Sequence, residues 1–530
     1  MQNSNPIKLN LLRRACVGDI LRRTAGRHPD DVAVVFRDTP YTYKTLNAAV
    51  NRCANSLLKL GVKPGDRIAI LSHNCDSYLI LLFALFKIGA VATPLNFMLK
   101  GNEIEYIIND ATPVMFFVED ALVDGVQQIK KSLASVKHFG VFALKGETPP
   151  AGWMKFDDLT GGSDEEPSVA ISGDAPATLL YTSGTESMPK GVLNCHLNFY
   201  ATLLSAYTDL DLEKKDIILL SIPLFHVAGI YLSIAVIGRG SKVIMEYAPD
   251  PMEILAITKS YGVNYWVYPP TLYTVLPLMP GFKKEDLSSL EKCISFGAYM
   301  PDNLLRQWME MLPGARFMNY YGQTESSPLG TSLPHEDMLR KPGSIGKAHL
   351  PLEIKIFDDD DREVERGAEG EIVMRGPSIM LGYYKNGEKT EEAFRNGWLH
   401  TGDIGRMDEE GYIFFIDRKK DVIKSGGENV SSREVEEVLF THPKVMEAAV
   451  VGLPDPYWIE AVSAAIVPRP GQTIDPEEIK AFCKERLAGY KAPKNVFILD
   501  ALPKNPSGKI LKRLLREQLG KQLAEKPQTA

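Results

Sequence analysis

Tyr181-Thr-Ser-Gly-Thr-Glu-Ser-Met-Pro-Lys-Gly-Val192 follows the apolar run Ala175–Leu180, so a strand here passes into a loop. Small hydroxyl residues, two glycines and a lysine lie within eleven positions. That composition suits a phosphate cradle: glycine lets backbone N–H groups close on an anion, hydroxyls donate, and Lys190 adds charge. It is not a Walker A loop, because Lys190 is followed by Gly191 where that motif needs Ser or Thr. Taken alone, the stretch also fits a Ser/Gly-rich turn that binds nothing.

Outward from this loop the chain alternates strand and helix. Leu46, Ala49, Val50, Cys53, Ala54, Leu57 and Leu58 recur at helical spacing, and Gly61 closes that helix. Strands are predicted at Arg67–Leu71, Val91–Leu95 and Val114–Val118, with helices at Ser77–Lys87 and Glu103–Asn109. This rhythm implies a mostly parallel sheet covered by helices. Residues 146–174 are rich in Gly, Pro, Asp and Glu and read as surface loop; a second α/β run follows from Ala177 to about Gly330. Residues 351–417 change character. Glu353–Phe357, Glu371–Arg375 and Tyr412–Ile416 read as antiparallel β, a small barrel-like lobe. Beyond the charged Lys419-Lys420-Asp421, an α+β pattern has strands at Ala448–Gly452, Val462–Val467 and Asn495–Leu499, and helices at Ser432–Phe440 and Pro476–Leu487. The boundary falls near Lys420.

Composition bounds the function. At ~150 residues per domain, 530 residues make roughly three to four units. An apolar fraction of 45% and a charged fraction of 24% exclude disorder, collagen and coiled coil for most of the chain. The net charge of −7 argues against a general nucleic-acid binder. Tyr78–Phe86, closed by Lys87, and the run after His226, closed by Arg239, fall short of the ~20 residues a bilayer needs. Six scattered cysteines form neither a disulfide framework nor a zinc site, and a reducing, cytoplasmic setting fits them. Asp19 and Asp30 among the N-terminal arginines favour an amphipathic helix over a transit peptide.

Three further motifs carry chemistry. Asn319-Tyr-Tyr-Gly-Gln-Thr-Glu325 offers ring faces for a purine and, in Glu325, an oxygen ligand for Mg²⁺; core tyrosines with a solvated glutamate are the alternative. Trp398-Leu-His-Thr-Gly-Asp403, followed by Asp417-Arg418, offers a carboxylate for a ribose diol and a guanidinium beside it, or else an ordinary Gly-Asp turn. Leu502-Pro-Lys-Asn-Pro-Ser-Gly-Lys509 is a Pro/Gly loop ending on a lysine, which alone reads as the surface start of a basic helix.

In this order and at these separations the four motifs resemble the AMP-forming adenylating superfamily: acyl-CoA synthetases, peptide-synthetase adenylation domains and beetle luciferases. Pro223-Leu-Phe-His-Val-Ala-Gly229, Ser295-Phe-Gly-Ala298 and Lys424-Ser-Gly-Gly-Glu-Asn429 fit as well, and the resemblance runs from about Asp19 to about Gln518. It implies an α/β fold: a large N-terminal catalytic domain over residues 1–418, built of two α/β sheet lobes and a distorted β-barrel lobe, a hinge at 419–421, and a small mobile α+β C-terminal domain over 422–530.

The resemblance also implies a two-step reaction. A carboxylate attacks the α-phosphate of MgATP, giving acyl-AMP and pyrophosphate, and the thiol of coenzyme A then displaces AMP. In such transfers the protein mostly positions groups and neutralises charge. By resemblance Thr182, Ser183, Gly184, Thr185 and Lys190 hold phosphates, Thr185 and Glu325 are the Mg²⁺-associated pair, and Thr324 bonds the α-phosphate. Tyr321 stacks on adenine, Asn319 and the Gly297–Ala298 backbone line its edge, Tyr320 and Gly322 belong to the same ATP/AMP site, and Asp403 and Arg418 take the ribose. Lys509 is the adenylation lysine, whose loss commonly costs ~10²–10³-fold in rate. Lys420 is the hinge, Lys424 serves the second step, and Gly426 and Gly427 pass the pantetheine arm. The family loop reads Thr-Gly where this chain has Glu186-Ser187, and the Glu186 carboxylate is expected to point away from phosphate.

The acyl pocket implied is His226, Val227, Gly229, Ile230, Phe296, Tyr299, Gly322, Ser327 and Pro328, mostly apolar as an aliphatic or aryl tail requires. His226 stands where amino-acid-activating relatives carry Asp, so an amino acid is not expected. Gly322 stands where acetyl-type enzymes carry Trp, which suggests a channel open beyond the carboxylate. A medium- to long-chain fatty acid is the first expectation. A benzoate- or cinnamate-like acid is the second, and loading of a carrier protein or a luciferase-like reaction the others. Small molecules are the expected partners, with no nucleic acid and no integral membrane segment, and a homodimer is compatible with the sequence.

Overall fold

The computed structural model describes residues 6–182, 189–298, 300–425, 428–504 and 510–525. Its centre is built on the two most apolar stretches of the chain, the helices Asp76–Ile88 and Val227–Arg239. Cys75 Sγ accepts from the Tyr78 amide at 3.3 Å to open the first, and Gly89, at φ 70°, closes it in the left-handed region that glycine adopts freely. The second opens on His226, whose Nδ1 accepts from the Ala228 amide at 3.2 Å. Helices apolar on every side must be covered on every side. One core accordingly joins Leu81, Phe83 and Ile234 of these helices to Ile68 and Ile70 of one sheet and Ile218 and Leu220 of another. No described helix is long and apolar enough to cross a membrane.

The first sheet has a parallel centre of Val91–Leu95, Arg67–Leu71, Met115–Glu119 and His138–Phe142. Pro176–Thr182 extends it beside Val91–Leu95 and then pairs antiparallel with Lys190–Cys195. The strand expected before the loop is thus paired with a second strand after it, and residues 183–188 between them lie outside the described residues.

The second sheet has a parallel centre of Lys242–Met245, Ile217–Leu220, Tyr265–Tyr268, Lys292–Phe296 and Arg316–Gly322. Antiparallel strands then continue it: Gly330–Leu333, Ser344–Ala348, Ile413–Arg418, Leu399–Met407, Glu369–Arg375 and Glu353–Phe357. The β-rich segment that sequence sets apart is thus hydrogen-bonded in continuity with the parallel strands. Ser344–Ala348 makes the join. Its register shifts between Ser344 and Gly346, and Gly346 lies at φ 94° with its missing Cβ directed at the Ser332 carbonyl, 1.9 Å away. A bulge of this kind bends a strand so that it can serve two neighbours at different angles.

The segment read as plain surface loop is partly a strap. Asn47, Asn51 and Asn55 recur every fourth residue on the helix Tyr43–Lys59 and bond Glu166, the Asp164 carbonyl, and the Ser163 and Glu165 carbonyls respectively. Lys87, fully buried, donates to Glu166, Asn47 and Asn51 at 2.6–2.8 Å. A buried ammonium needs that full set of acceptors.

After Arg418 a turn in which Asp421 and Val422 both donate to the Arg418 carbonyl leads into a separate unit. Its sheet contains Ile423–Ser425, Glu428–Val430, Val445–Asp455, Ile459–Pro468 and Asn495–Ile498. Among the described residues, its two apolar cores draw on none before Ile423. Polar contacts bind it to the rest: Asp417 accepts from the Ser432 amide and hydroxyl, both at 2.6 Å, and Arg516 meets Asp421 at 2.6 Å.

Candidate active site

The hairpin pairs Thr182 with Lys190 and Tyr181 with Gly191, which fixes where the phosphate-loop candidate starts and ends. Ser183, Gly184, Thr185 and Glu186 lie outside the described residues, as do Tyr299, Gly426, Gly427 and Lys509. On the hairpin's far edge a two-residue strand, Gly382–Tyr383, pairs with Lys190–Cys195. It sets the Tyr383 ring 5.5 Å from Lys190 Nζ, a cation–π distance. The Tyr383 hydroxyl donates to Glu325 Oε1 at 3.0 Å, and burial together with that carboxylate raises its pKa. Lys190 and Glu325, far apart in sequence, are thereby joined through one ring. Sequence reading missed Tyr383, because a two-residue strand has no periodicity to detect.

It also missed Asn194. This side chain donates to Ser327 Oγ at 2.7 Å and to the Thr324 carbonyl at 3.2 Å, clamping the turn that carries Thr324, Glu325 and Ser327. Ser327 needs holding, since its φ of 64° is unusual for a residue with a Cβ.

Strand alternation divides the Arg316–Gly322 strand into two faces. On one, the Tyr321 hydroxyl donates to Asp403 Oδ2 at 2.6 Å. Asp403 is paired across strands with Arg418, whose Nε lies 3.3 Å from Oδ1. The Asp403 charge, partly offset by burial, raises the Arg418 pKa, and Tyr321 and Glu325 add to it. Burial and Asp403 likewise push the Tyr321 hydroxyl well up. Asp403 is only 2% exposed, yet its Oδ1 makes no hydrogen bond, and neither do Asn319 Oδ1 or Gln323 Nε2. Gly297, at φ 79°, has nothing within 4 Å of where a Cβ would lie. Buried polar atoms without partners are uncommon. A ribose diol on Asp403 and a base edge near Asn319 would supply such partners. These residues therefore fit a nucleotide, and the Glu325 carboxylate fits a hard divalent cation.

Tyr320 faces the other way. Its ring stacks on Tyr231 at 6.2 Å and lies 5.0 Å from His349, both buried. It is therefore remote in direction from Asp403, and its grouping with the purine residues is corrected by the pleat.

The acid-side candidates gather on this second face. Phe296 is the cross-strand neighbour of Tyr320, and half-buried His226 caps the helix that carries Val227, Gly229 and Ile230. Gly229 is fixed by close approach: a Cβ would lie 2.4 Å from the Pro223 carbonyl. Gly322 behaves similarly. A Cβ there would fall 1.4 Å from the Pro328 carbonyl oxygen, so backbone occupies the space in which an open channel was expected.

In the small unit Lys424 is exposed on a hairpin, opposite Asn429, and its amide donates to Glu460 Oε2 at 2.7 Å. Lys420 is exposed in the turn after Arg418. The Lys504–Ile510 bridge brackets the loop that ends on Lys509.

Comparison with known proteins agrees with this geometry. The AMP-binding enzyme family matches residues 21–384, and the AMP-binding enzyme C-terminal domain matches residues 434–509. The chain is 35% identical to a feruloyl-CoA synthase of an Amycolatopsis species, over 96% of this chain and 100% of that protein. It is also 35% identical to a long-chain-fatty-acid–CoA ligase of Mycobacterium tuberculosis, over 95% and 98%. ATP-bound MatB from Rhodopseudomonas palustris superposes with a TM-score of 0.87 at 29% identity, covering 96% of this chain and 99% of that one. At the same coverage apo MatB gives 0.77, at 30% identity.

Proposed function

This chain belongs to the AMP-binding enzyme family and is an AMP-forming acid–CoA ligase that uses ATP; on that premise we propose that its acid is a compact aryl acid. The observation that carries this reading is the ring wall on the acid side. Tyr320, stacked on Tyr231 and beside His349, closes the gap between the Val227–Arg239 helix and the Arg316–Gly322 strand. Phe296 stands next to it and the Pro328 carbonyl fills the space beside Gly322. A planar ring packs against such a wall, whereas a long methylene chain would have to displace it.

A carboxylate is a poor electrophile, and the first step changes that by transferring AMP to it. We assign phosphate binding to Thr182, Ser183, Gly184, Thr185 and Lys190, ribose binding to Asp403 and Arg418, and adenine stacking to Tyr321. Pre-set charge and donors of this kind do most of the work in phosphoryl transfer. Bound at Thr185 and Glu325, Mg²⁺ would neutralise phosphate charge. His226 would meet the carboxylate, and Lys509 would bridge it to the α-phosphate. A rotation about Lys420 would then exchange Lys509 for the Lys424–Asn429 hairpin, with Gly426 and Gly427 passing the pantetheine. The higher TM-score against ATP-bound MatB than against the apo form supports an arrangement of units that depends on state.

A medium- to long-chain fatty acid is the second reading. The apolar, buried Val227 and Ile230 and the fatty-acid-ligase relative favour it. The test is CoA-dependent AMP release across benzoate, cinnamate, octanoate and palmitate. Saturation by the aryl acids at the lowest concentrations is expected. Saturation by the alkanoates alone would sink the aryl reading.

A further inference from the structure

The helix Ser432–Phe440 belongs to the small unit, yet its first turn is docked on the large one. Three consecutive residues meet three consecutive residues of the strand Ile413–Arg418. Ser431 Oγ donates to the Ile416 carbonyl at 2.8 Å, Ser432 donates to Asp417, and one terminal nitrogen of Arg433 donates to the Phe415 carbonyl at 2.6 Å. The other terminal nitrogen reaches the Gly343 carbonyl at 3.3 Å. Arg433 Nε is held by Glu437 Oε1 at 2.9 Å, one turn along the same helix. A guanidinium suits three such partners, because its planar fork presents donors in fixed directions.

The strand under this turn serves the nucleotide residues. The Phe415 ring lies 6.3 Å from the Tyr321 ring and 5.5 Å from the Arg433 guanidinium carbon, so one ring touches both. Arg418 ends the strand, beside Asp403. Lys424 meanwhile stands in solvent. Lys512, three residues beyond Lys509, donates to Ser432 Oγ and pairs with Glu436 at 2.8 Å. The Lys509 end of the small unit, and not the Lys424 end, is therefore the one packed into this dock.

We propose that Arg433 is a positioning residue that ties the small unit to the occupied nucleotide site and so sets when the unit rotates. This rests on the assignment above of Lys509 to the first step and Lys424 to the second. Adenine stacked on Tyr321 braces the Phe415 ring, and Arg433 holds the same residue from the small unit. Nucleotide and dock then stabilise each other by the same amount, as linkage requires. Rotation about Lys420 carries the helix away and breaks the dock, so Arg433 favours the first step and must be released for the second.

The experiment uses the full-length enzyme with whichever acid of the panel above gives the highest rate. Acid-dependent ATP–pyrophosphate exchange reports the first step, and single-turnover AMP release from enzyme-bound acyl-AMP on adding CoA reports the second. Arg433→Ala, Arg433→Lys and Phe415→Leu are compared with wild type. The KM for ATP in exchange should rise about five- to tenfold in each, while release stays at the wild-type rate or exceeds it. Combining Arg433→Lys with Phe415→Leu should cost less than the product of the single effects, because both act through one ring. An unchanged KM for ATP, equal losses in both half-reactions, or single effects that simply multiply each overturn the inference. A loss confined to CoA-dependent release overturns instead the assignment of the two lysines beneath it.

Discussion

At the scale of the residue, two positions show how geometry alters what a motif suggests. Gly322 reads from sequence as a residue chosen to leave room. In the fold it is the residue across which a hairpin touches itself, paired with Gly330 and pressed against Pro328. Gly322→Ala should therefore do more than shorten the pocket. The added Cβ must push the Pro328 carbonyl aside, at a cost of about 3 kcal/mol or more. A melting temperature unchanged by this substitution, with a mere shift towards smaller acids, would contradict the close approach. Asp403 lies between Tyr321 and Arg418, with Oδ2 bonded to the first and Oδ1 ion-paired with the second. Asp403→Asn preserves size but removes the charge that faces Arg418. Charged hydrogen bonds contribute about 1.5–3 kcal/mol, so KM for ATP should rise about 10- to 100-fold in initial-rate measurements. An unchanged KM would remove Asp403 from the nucleotide site.

At the scale of the element, short pieces position the chemistry. The two-residue strand Gly382–Tyr383 links Lys190 to Glu325, and Asn194 fixes the turn beyond it. In the small unit the Ile423–Ser425 hairpin arm is tied down by Glu460, next to Ile459. That isoleucine holds φ 67°, a strained conformation for a β-branched residue, and pairs with Ser425. Strain kept beside this hairpin indicates that its position matters. Glu460→Ala should loosen the hairpin and slow CoA-dependent AMP release by about tenfold, an effect of about 1.4 kcal/mol, while acid-dependent ATP–pyrophosphate exchange stays at the wild-type rate. Equal losses in both assays would show that Glu460 supports only the fold of the unit.

At the scale of the whole molecule, burial also sets a pH response. Glu246, 1% exposed with an unbonded Oε2, has its carboxyl pushed up by burial to about 7 from 4.5. The folded state holds this proton when the unfolded chain has lost it. Its contribution to stability is complete below pH 4.5 and is lost progressively as pH rises to about 7. Glu246→Gln stays neutral throughout. The variant should therefore gain on wild type in melting temperature between pH 5 and pH 7, and hold that gain above it. A difference that does not change with pH would show that Glu246 titrates normally.

Sequence by itself determined much of this protein. The strands Arg67–Leu71, Val91–Leu95 and Glu353–Phe357 and the helix Ser432–Phe440 have the predicted bounds, because alternation and helical spacing are local properties of a chain that buries one face. Family and reaction were legible too, since seven ordered motifs keep their residue types and separations wherever the chain goes between them. Tertiary structure decided the rest. It paired the two strands that flank the glycine loop, ran the antiparallel strands into the parallel sheet through a bulge at Gly346, turned Tyr320 away from Tyr321, and supplied Tyr383, Asn194 and His349 from distant segments. Each of these depends on which backbone lies beside which, and on whether a buried oxygen or nitrogen finds a partner there. No window of sequence contains that information.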